Sequence, residues 1–154
     1  PYLKEITDMM TPAYGQSELV KKLCAEFQTT DTCAVHVRGG DIVGPGRAFF
    51  ERALVRMEKE RPGLRYLVFT NDKEAAKEAL EGEHTERKMT YISELGAFSD
   101  IDEFFLMAAC RHQIISNSSY STWAAYLNPN PEKVVIMPEY KGCEQIRLKE
   151  WIVL

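Results

Sequence analysis

The sequence lacks a long apolar run and an excess of basic residues. None of its apolar stretches approaches the roughly 20 residues that a membrane-spanning helix needs, so we expect no span within these 154 residues. The 19 Lys and Arg residues are outnumbered by 23 Asp and Glu residues, and the formal net charge is −4. This balance argues against a polyanion as a general partner. Any anionic ligand is therefore expected to be held by a local site.

Closely spaced cysteine pairs and metal-ligand clusters are also missing from the sequence. The four cysteines show no C-x-x-C spacing, and the first three lie in apolar stretches, which favours buried structural thiols over a disulfide or a metal site. They are Cys24, Cys33, Cys110 and Cys143. Since His and carboxylate residues do not cluster at ligand spacing, we predict no metal centre. The cysteine placement favours a reducing, cytoplasmic location.

The composition is that of one ordinary globular domain. Hydrophobic residues make up 45% of the chain and charged residues 27%. A chain of this length can bury roughly two-thirds of its unfolded surface in one core and leaves little material for a second. We therefore expect a single domain over residues 1–154, with a leading segment and a first helix in residues 1–31.

Five short β-rich runs alternate with stretches of helical periodicity. The runs cover residues 32–37, 65–70, 89–92, 113–116 and 133–137. Between them, apolar residues recur at i, i+1, i+4 and i+5, which marks one side of a helix. Strands that are apolar on both faces and separated by helices are typical of a parallel sheet covered on both sides. The predicted fold class is α/β, a Rossmann-like parallel sheet of about five strands with helices on both faces.

Capping residues place two helix starts. Asn71 or Asp72 can cap a helix that begins near Lys73. Ser99 followed by Asp102 resembles a capping box before the apolar stretch that ends at Cys110. Both assignments depend only on local spacing.

The expected strand order indicates where a ligand binds. In the common doubly wound order 3-2-1-4-5, the first and fourth strands are neighbours where the winding reverses, and ligands bind beyond their carboxyl ends. The loops that leave these two strands are residues 36–41 (HVRGGD) and 116–121 (SNSSYS), and both are polar. We therefore expect these loops to lie side by side.

The residue types in the two loops suit a phosphorylated ligand. Ser118 and Ser119 precede a predicted helix, whose unpaired amides and dipole favour an anion. Arg38 can add a forked, permanently charged donor. Gly39 and Gly40 leave space for a ligand to approach the backbone. The alternative is that the serines only cap the helix and the glycines only turn the chain.

Three stretches of the chain carry a likeness to a known family. They are VHVRGGD (35–41), YLVFTND (66–72) and DIDEFFLMAACRHQIISNSSYSTWAAYLNPNPEKVVIMP (100–138), followed by a terminal tryptophan segment. Together they resemble the donor-binding half of the glycosyltransferase family 11 α-1,2-fucosyltransferases. The likeness runs from about Ala34 to Trp151, and the block around SNSSYSTWAA is its most specific part.

The resemblance implies one half of a GT-B type transferase with two Rossmann-like domains, in which the C-terminal domain holds GDP-fucose. Such an enzyme transfers L-fucose with inversion to a hydroxyl of a galactoside-terminated glycan, in α-1,2 linkage, without a metal or a cofactor beyond the donor. The acceptor-binding half is expected to lie upstream of this sequence, which begins with Pro1 rather than Met. Some such enzymes are lumenal domains of Golgi membrane-anchored proteins, which leaves a lumenal location as the alternative.

Residue roles follow from the same resemblance. Arg38 would bind the diphosphate and assist its departure, because negative charge on the leaving group grows in the transition state. His36 and Asp102 would contact the nucleoside. The remaining donor-binding residues lie in the two polar loops and are Gly40, Asn117, Ser118 and Ser119.

The catalytic base is left open by the sequence. Inverting displacement needs a group that takes the proton from the acceptor hydroxyl. Asp41 is the nearest carboxylate in the first loop, and the alternative is that Asp41 only hydrogen-bonds loop amides. The family pattern H-V-R-R-G-D also has a second arginine where this chain has Gly39. A non-catalytic or degenerate nucleotide-sugar-binding module is therefore an alternative function, and a Rossmann-like scaffold for protein interaction is a third.

Overall fold

Parallel strands form where the sequence is apolar on both faces. The computed structural model describes residues 2–12, 15–40, 44–80 and 87–154. The strands in these residues are β1 (Thr32–Val37), β2 (Arg65–Thr70), β3 (Met89–Tyr91), β4 (His112–Ile114), β5 (Val135–Met137) and β6 (Ile152–Val153). They form one sheet in the order β3-β2-β1-β4-β5-β6, and every neighbouring pair is parallel. The predicted α/β, Rossmann-like sheet is confirmed, with six strands in place of five.

Helices connect the strands and precede the first of them. They are α1 (Tyr2–Met9), α2 (Glu18–Thr29), α3 (Arg47–Glu60), α4 (Lys73–Leu80), α5 (Asp100–Ala109), α6 (Ser119–Leu127) and α7 (Cys143–Ile146). A single 3-10 turn at Ile92–Glu94 follows β3. Among the described residues, no helix is both long and apolar enough to cross a bilayer.

Both faces of the sheet are covered, because successive side chains of β1 enter different cores. Cys33, Val35 and Val37 pack in a cluster with the buried side chains of α3 and α4. Ala34, on the other face, packs with α2, α5 and α6. All six residues of β1 are buried. The strand therefore lies at the centre of the molecule, and its carboxyl end opens toward the expected binding loops.

The two predicted helix starts are both present. At α5, the hydroxyl of Ser99 accepts a hydrogen bond from the amide of Asp102, and the Asp102 carboxylate accepts one from the amide of Ser99, which completes the capping box. At α4, Oδ1 of Asp72 accepts a hydrogen bond from the amide of Ala75 at 3.0 Å. Of the two candidates for that cap, Asp72 is therefore the capping residue. The side chain of Asn71 has a different set of partners.

The predicted boundaries were wrong at the short elements. The strands expected over 113–116 and 133–137 are limited to three residues each, and Ser119, which was expected to precede a helix, is the first residue of α6. The strand β6 was missed, because a two-residue edge strand is too short to show periodicity. All four cysteines are free thiols, as expected. Cys33 and Cys110 are buried as predicted, whereas Cys24 is only half-buried and Cys143, outside the apolar stretches, is buried as well.

We expect Phe50→Ala to lower the free energy of unfolding by about 3–5 kcal/mol, since Phe50 is fully buried between α3 and the sheet and its loss leaves a cavity. Val55→Ala is the matched control on the same helix, because Val55 is 54% exposed and is expected to change stability by about 0.5 kcal/mol or less. Urea denaturation measures both values. Equal losses in the two variants would contradict this account of the core.

Candidate functional site

The two polar loops meet where the order of the sheet reverses. The strands β2 and β3 lie on one side of β1, and β4, β5 and β6 lie on the other. Across this junction, Nδ1 of His36 lies 2.7 Å from the hydroxyl oxygen of Ser116, which follows β4 and is fully buried. The expectation that the loops lie side by side is therefore confirmed. Sequence reasoning did not single out Ser116 as a partner for His36.

A cavity of about 220 Å³ opens at the carboxyl ends of β1 and β2. Its lining comes from four elements: His36 and Arg38 at the end of β1, residues 69–71 at the end of β2, Asp100 and Glu103 in α5, and Tyr120 in α6. Ligand pockets usually enclose about 300–1,000 Å³, so these residues form a site for part of a ligand of nucleotide size. Of the predicted site residues, His36 and Arg38 line this cavity.

The imidazole of His36 is neutral near pH 7. Burial, and then the positive charge of Arg38, lower its pKa to about 4. A neutral imidazole has one N–H donor and one acceptor nitrogen. Because Nδ1 is paired with the hydroxyl of Ser116, the other nitrogen is the one that can serve a ligand in the cavity.

Tyr120 forms a fixed aromatic wall of the cavity. Its hydroxyl donates a hydrogen bond to the backbone carbonyl of Asp100 at 2.6 Å, which links the first turns of α5 and α6. The ring packs edge-on against Phe104 at 5.4 Å between centroids and lies 5.7 Å from the His36 ring. Burial raises the pKa of Tyr120 well above its usual value, so the phenol stays protonated and can donate this bond.

Two carboxylates line the cavity from α5, and neither was named from the sequence. Asp100 and Glu103 are three residues apart and lie on one face of the helix. Burial, and then the nearby charge of Asp100, raise the pKa of Glu103. The carboxylate of Asp102, by contrast, is bonded to the amide and the hydroxyl of Ser99, and Asp102 is not among the described residues that line the cavity. The nucleoside contact of Asp102 stays a prediction.

Of the two serines at the start of α6, only Ser118 occupies the N-cap position. Ser118 is the N-cap residue by its backbone, yet its hydroxyl makes no capping hydrogen bond within the described part of the chain. Its carbonyl accepts hydrogen bonds from the amide and the hydroxyl of Thr122. Ser119 is exposed and Asn117 is half-buried. The three residues directly precede Tyr120. The phosphate contacts of Ser118 and Ser119 and the donor contact of Asn117 stay predictions.

The two glycines after Arg38 have different structural roles. Gly40 has a φ of +86°, a left-handed conformation that favours glycine. A Cβ added at Gly39 would lie 2.5 Å from the Cβ of Asp72 and 3.2 Å from the Cβ of Ala75. The first turn of α4, rather than a ligand, therefore occupies the space that Gly39 leaves. A second arginine does not fit at this position unless the backbone shifts.

Asp41 as the catalytic base and the absence of a metal centre both stay predictions. Asp41 lies outside the described residues. Among residues 2–12, 15–40, 44–80 and 87–154, no group of three or more His, Cys, Asp or Glu side chains is arranged to hold a metal ion. Metal independence stays a prediction.

Comparison with known proteins identifies a matching family model and a similar curated protein. A family model described as glycosyl transferase family 11 matches residues 17–154. The chain is similar to WbnK of Escherichia coli, an O-antigen biosynthesis glycosyltransferase, with 28% identity over 151 aligned residues. The alignment covers 85% of this chain and 48% of the relative. The chain therefore spans about half the length of the curated relative that it matches.

The buried neutral state of His36 makes folding pH-dependent. An unfolded histidine takes up a proton near pH 6.5, whereas folded His36 stays neutral down to about pH 4. The unfolded state binds more protons between these values, so we expect the stability from His36 to be complete above pH 6.5 and to fall by about 2 kcal/mol between pH 7 and pH 5. Urea unfolding at several pH values measures this slope.

His36→Gln should show a smaller loss of stability on acidification than the wild-type chain. His112, whose pKa is also lowered to about 4, chiefly by burial, remains in that variant and retains its own contribution. Val55→Ala serves as the control with an unchanged slope. Identical slopes in His36→Gln and wild type would show that His36 is not held neutral.

Gly39→Ala is expected to destabilise the chain by about 1–3 kcal/mol, because the new methyl group overlaps the Cβ of Asp72. Gly46→Ala is the control, since a Cβ at Gly46 has no described atom within 4 Å. Thermal unfolding compares the two variants. A Gly39→Ala variant as stable as Gly46→Ala would mean that the loop and α4 are not packed as described.

Proposed function

This chain belongs to glycosyltransferase family 11, and on that premise we propose that it is the donor-binding part of a fucosyltransferase that uses GDP-fucose. In the proposed reaction, L-fucose passes from GDP to a hydroxyl of a galactoside-terminated glycan, in α-1,2 linkage with inversion. The observation that carries the proposal is the cavity where the strand order reverses, which is lined by Arg38 and by Tyr120 in the first turn of α6.

The charges around the cavity favour one orientation of a nucleotide. A diphosphate is attracted by Arg38 and by the amides at the N-terminus of α6, and it is repelled by Asp100 and Glu103. The carboxylates are better partners for hydrogen-bond donors. Guanine offers two adjacent donors, N1–H and the N2 amino group, whereas uracil offers one. This difference supports a guanine nucleotide over a uracil nucleotide.

The chemistry assigned to Arg38 is stabilisation of the leaving group. As the bond between the anomeric carbon and the phosphate oxygen breaks, negative charge collects on GDP, and a fixed guanidinium lowers the barrier. Loss of one such contact typically costs about 3 kcal/mol of barrier. In this proposal, the cation and the helix terminus supply the charge stabilisation that a metal ion supplies in other transferases.

The acceptor oxygen attacks the opposite side of the anomeric carbon and must lose a proton. His36 is a poor base, since its pKa of about 4 leaves it with little affinity for a proton. Its role in the proposal is to contact the nucleoside through the nitrogen that Ser116 leaves available. Asp41 remains the proposed base.

A non-catalytic nucleotide-sugar-binding module is the second candidate. The specific observation in its favour is Gly39, which removes one of the two cations of the family pattern and packs where an arginine side chain would start. Such a module would retain affinity for GDP and lack transfer activity. A fucose-transfer assay on a β-galactoside, with the proposed acceptor-binding half supplied, separates the two candidates.

Titration calorimetry tests the proposed ligand. We expect the chain to bind GDP and GDP-fucose and not UDP. Arg38→Ala should weaken GDP binding about tenfold to a hundredfold, because a hydrogen bond to a charged group contributes about 1.5–3 kcal/mol. Arg56→Ala is the matched control, since Arg56 pairs with Glu60 on the exposed side of α3.

Equal affinities for GDP and UDP would show that the site does not select a guanine base. An absence of binding by all three ligands would favour the interaction scaffold over both nucleotide-binding candidates. Unchanged GDP affinity in Arg38→Ala would remove Arg38 from the proposed site.

A further inference from the structure

The carboxamide of Asn71 binds both main-chain groups of Gly39. The amide of Gly39 donates to Oδ1 of Asn71 at 3.0 Å, and Nδ2 of Asn71 donates to the carbonyl of Gly39 at 3.1 Å. The parallel ladder between β1 and β2 ends at the pair Val37 and Thr70. The side chain of Asn71 therefore continues the pairing beyond the last backbone pair and holds the loop that contains Arg38.

The backbone is held in place on both sides of Arg38. On its N-terminal side, Val37 is the last residue of β1 and is buried. On its C-terminal side, Gly39 is bonded to Asn71 and packed against Asp72. The chain also returns close to Arg38, because a Cβ added at Gly44 would lie 2.8 Å from the carbonyl oxygen of Arg38. The backbone from which the guanidinium projects is thus fixed by its neighbours.

Asn71 is itself held rigidly. The hydroxyl oxygen of Thr70 accepts a hydrogen bond from the amide of Asp72 at 3.0 Å, which closes a tight turn around Asn71. Asp72 in turn caps α4. The position of the Asn71 carboxamide is therefore set by the end of β2 and by the first turn of α4.

From these contacts we infer that Asn71 is a positioning residue, which places Arg38 at the cavity through the main chain of Gly39. Both Asn71 and Arg38 line the cavity. The inference rests on the proposed function, because the consequence of correct placement is diphosphate binding by Arg38. It also gives a structural reason for glycine at position 39, because a Cβ there would overlap Asp72 and crowd Ala75 in the first turn of α4.

Asn71→Ala removes both bonds to Gly39 and should weaken GDP binding about tenfold. Asn130→Ala is the matched control. The carboxamide of Asn130 also bonds two main-chain groups, the carbonyl of Arg111 at 3.0 Å and the amide of Glu132 at 3.1 Å, and it lies at the other end of the sheet. Its loss should reduce stability similarly and change GDP affinity less than twofold.

A double-mutant cycle separates positioning from general loss of structure. If Asn71 acts through Arg38, then Asn71→Ala should change GDP affinity less than twofold when Arg38 is already alanine. An equal loss of affinity with and without Arg38, or no loss in either background, would overturn the inference. Asn71→Gln is the second variant if Asn71→Ala does not fold, since the longer carboxamide displaces Gly39 and should give the same coupling.

Hydrogen exchange at the amide of Gly39 gives a readout that does not depend on a ligand. This amide should be protected in wild type and in Arg38→Ala, and it should exchange faster in the Asn71 variant. If wild type does not bind GDP, the proposed function fails, whereas fast exchange at Gly39 in the Asn71 variant still supports the positioning contact. Unchanged exchange in that variant would overturn the inference.

Discussion

The central strand β1 is the constraint on which the rest of the structure depends. It pairs with β2 over six residues and with β4 over three, and all six of its side chains are buried. A strand buried on both faces needs helices on both sides, and parallel neighbours bring their carboxyl ends to one edge. The contact between His36 and Ser116 marks the point where the two loops meet at that edge. The location of the cavity follows from this arrangement.

Charges of opposite sign line the same cavity. Burial, and then the charge of Arg38, lower the pKa of His36 and keep it neutral, while burial, and then the charge of Asp100, raise the pKa of Glu103. In a partly desolvated site, such fixed charges act more strongly on a ligand than they would in water. A ligand with an anionic part and a part rich in hydrogen-bond donors satisfies both sides. A nucleoside diphosphate with a guanine base has this distribution.

The loop after β1 differs from the family pattern at Gly39. In the family pattern the position of Gly39 holds a second arginine, whereas in this chain the backbone at Gly39 contacts α4 and is bonded to Asn71. This chain has one cation fewer than that pattern, and its loop is bonded to Asn71 at the end of β2. The position of the remaining cation, Arg38, is thereby restricted.

Local sequence patterns were sufficient to identify β1, β2 and α3, by their apolar residues, and the capping box of Ser99 and Asp102, by its spacing. Each of these features depends on residues close together in the chain. The strand order agrees with the common doubly wound order 3-2-1-4-5, which was assumed because strands and helices alternate, and β6 extends it at one edge. Tertiary structure alone decided which carboxylates enter the cavity: Asp100 and Glu103 face it, whereas Asp102 bonds to Ser99. It also decided the contact of Gly39 with Asn71 and Asp72, which joins residues more than thirty positions apart. Such contacts arise from the packing of one strand end against another, and no local pattern encodes that packing.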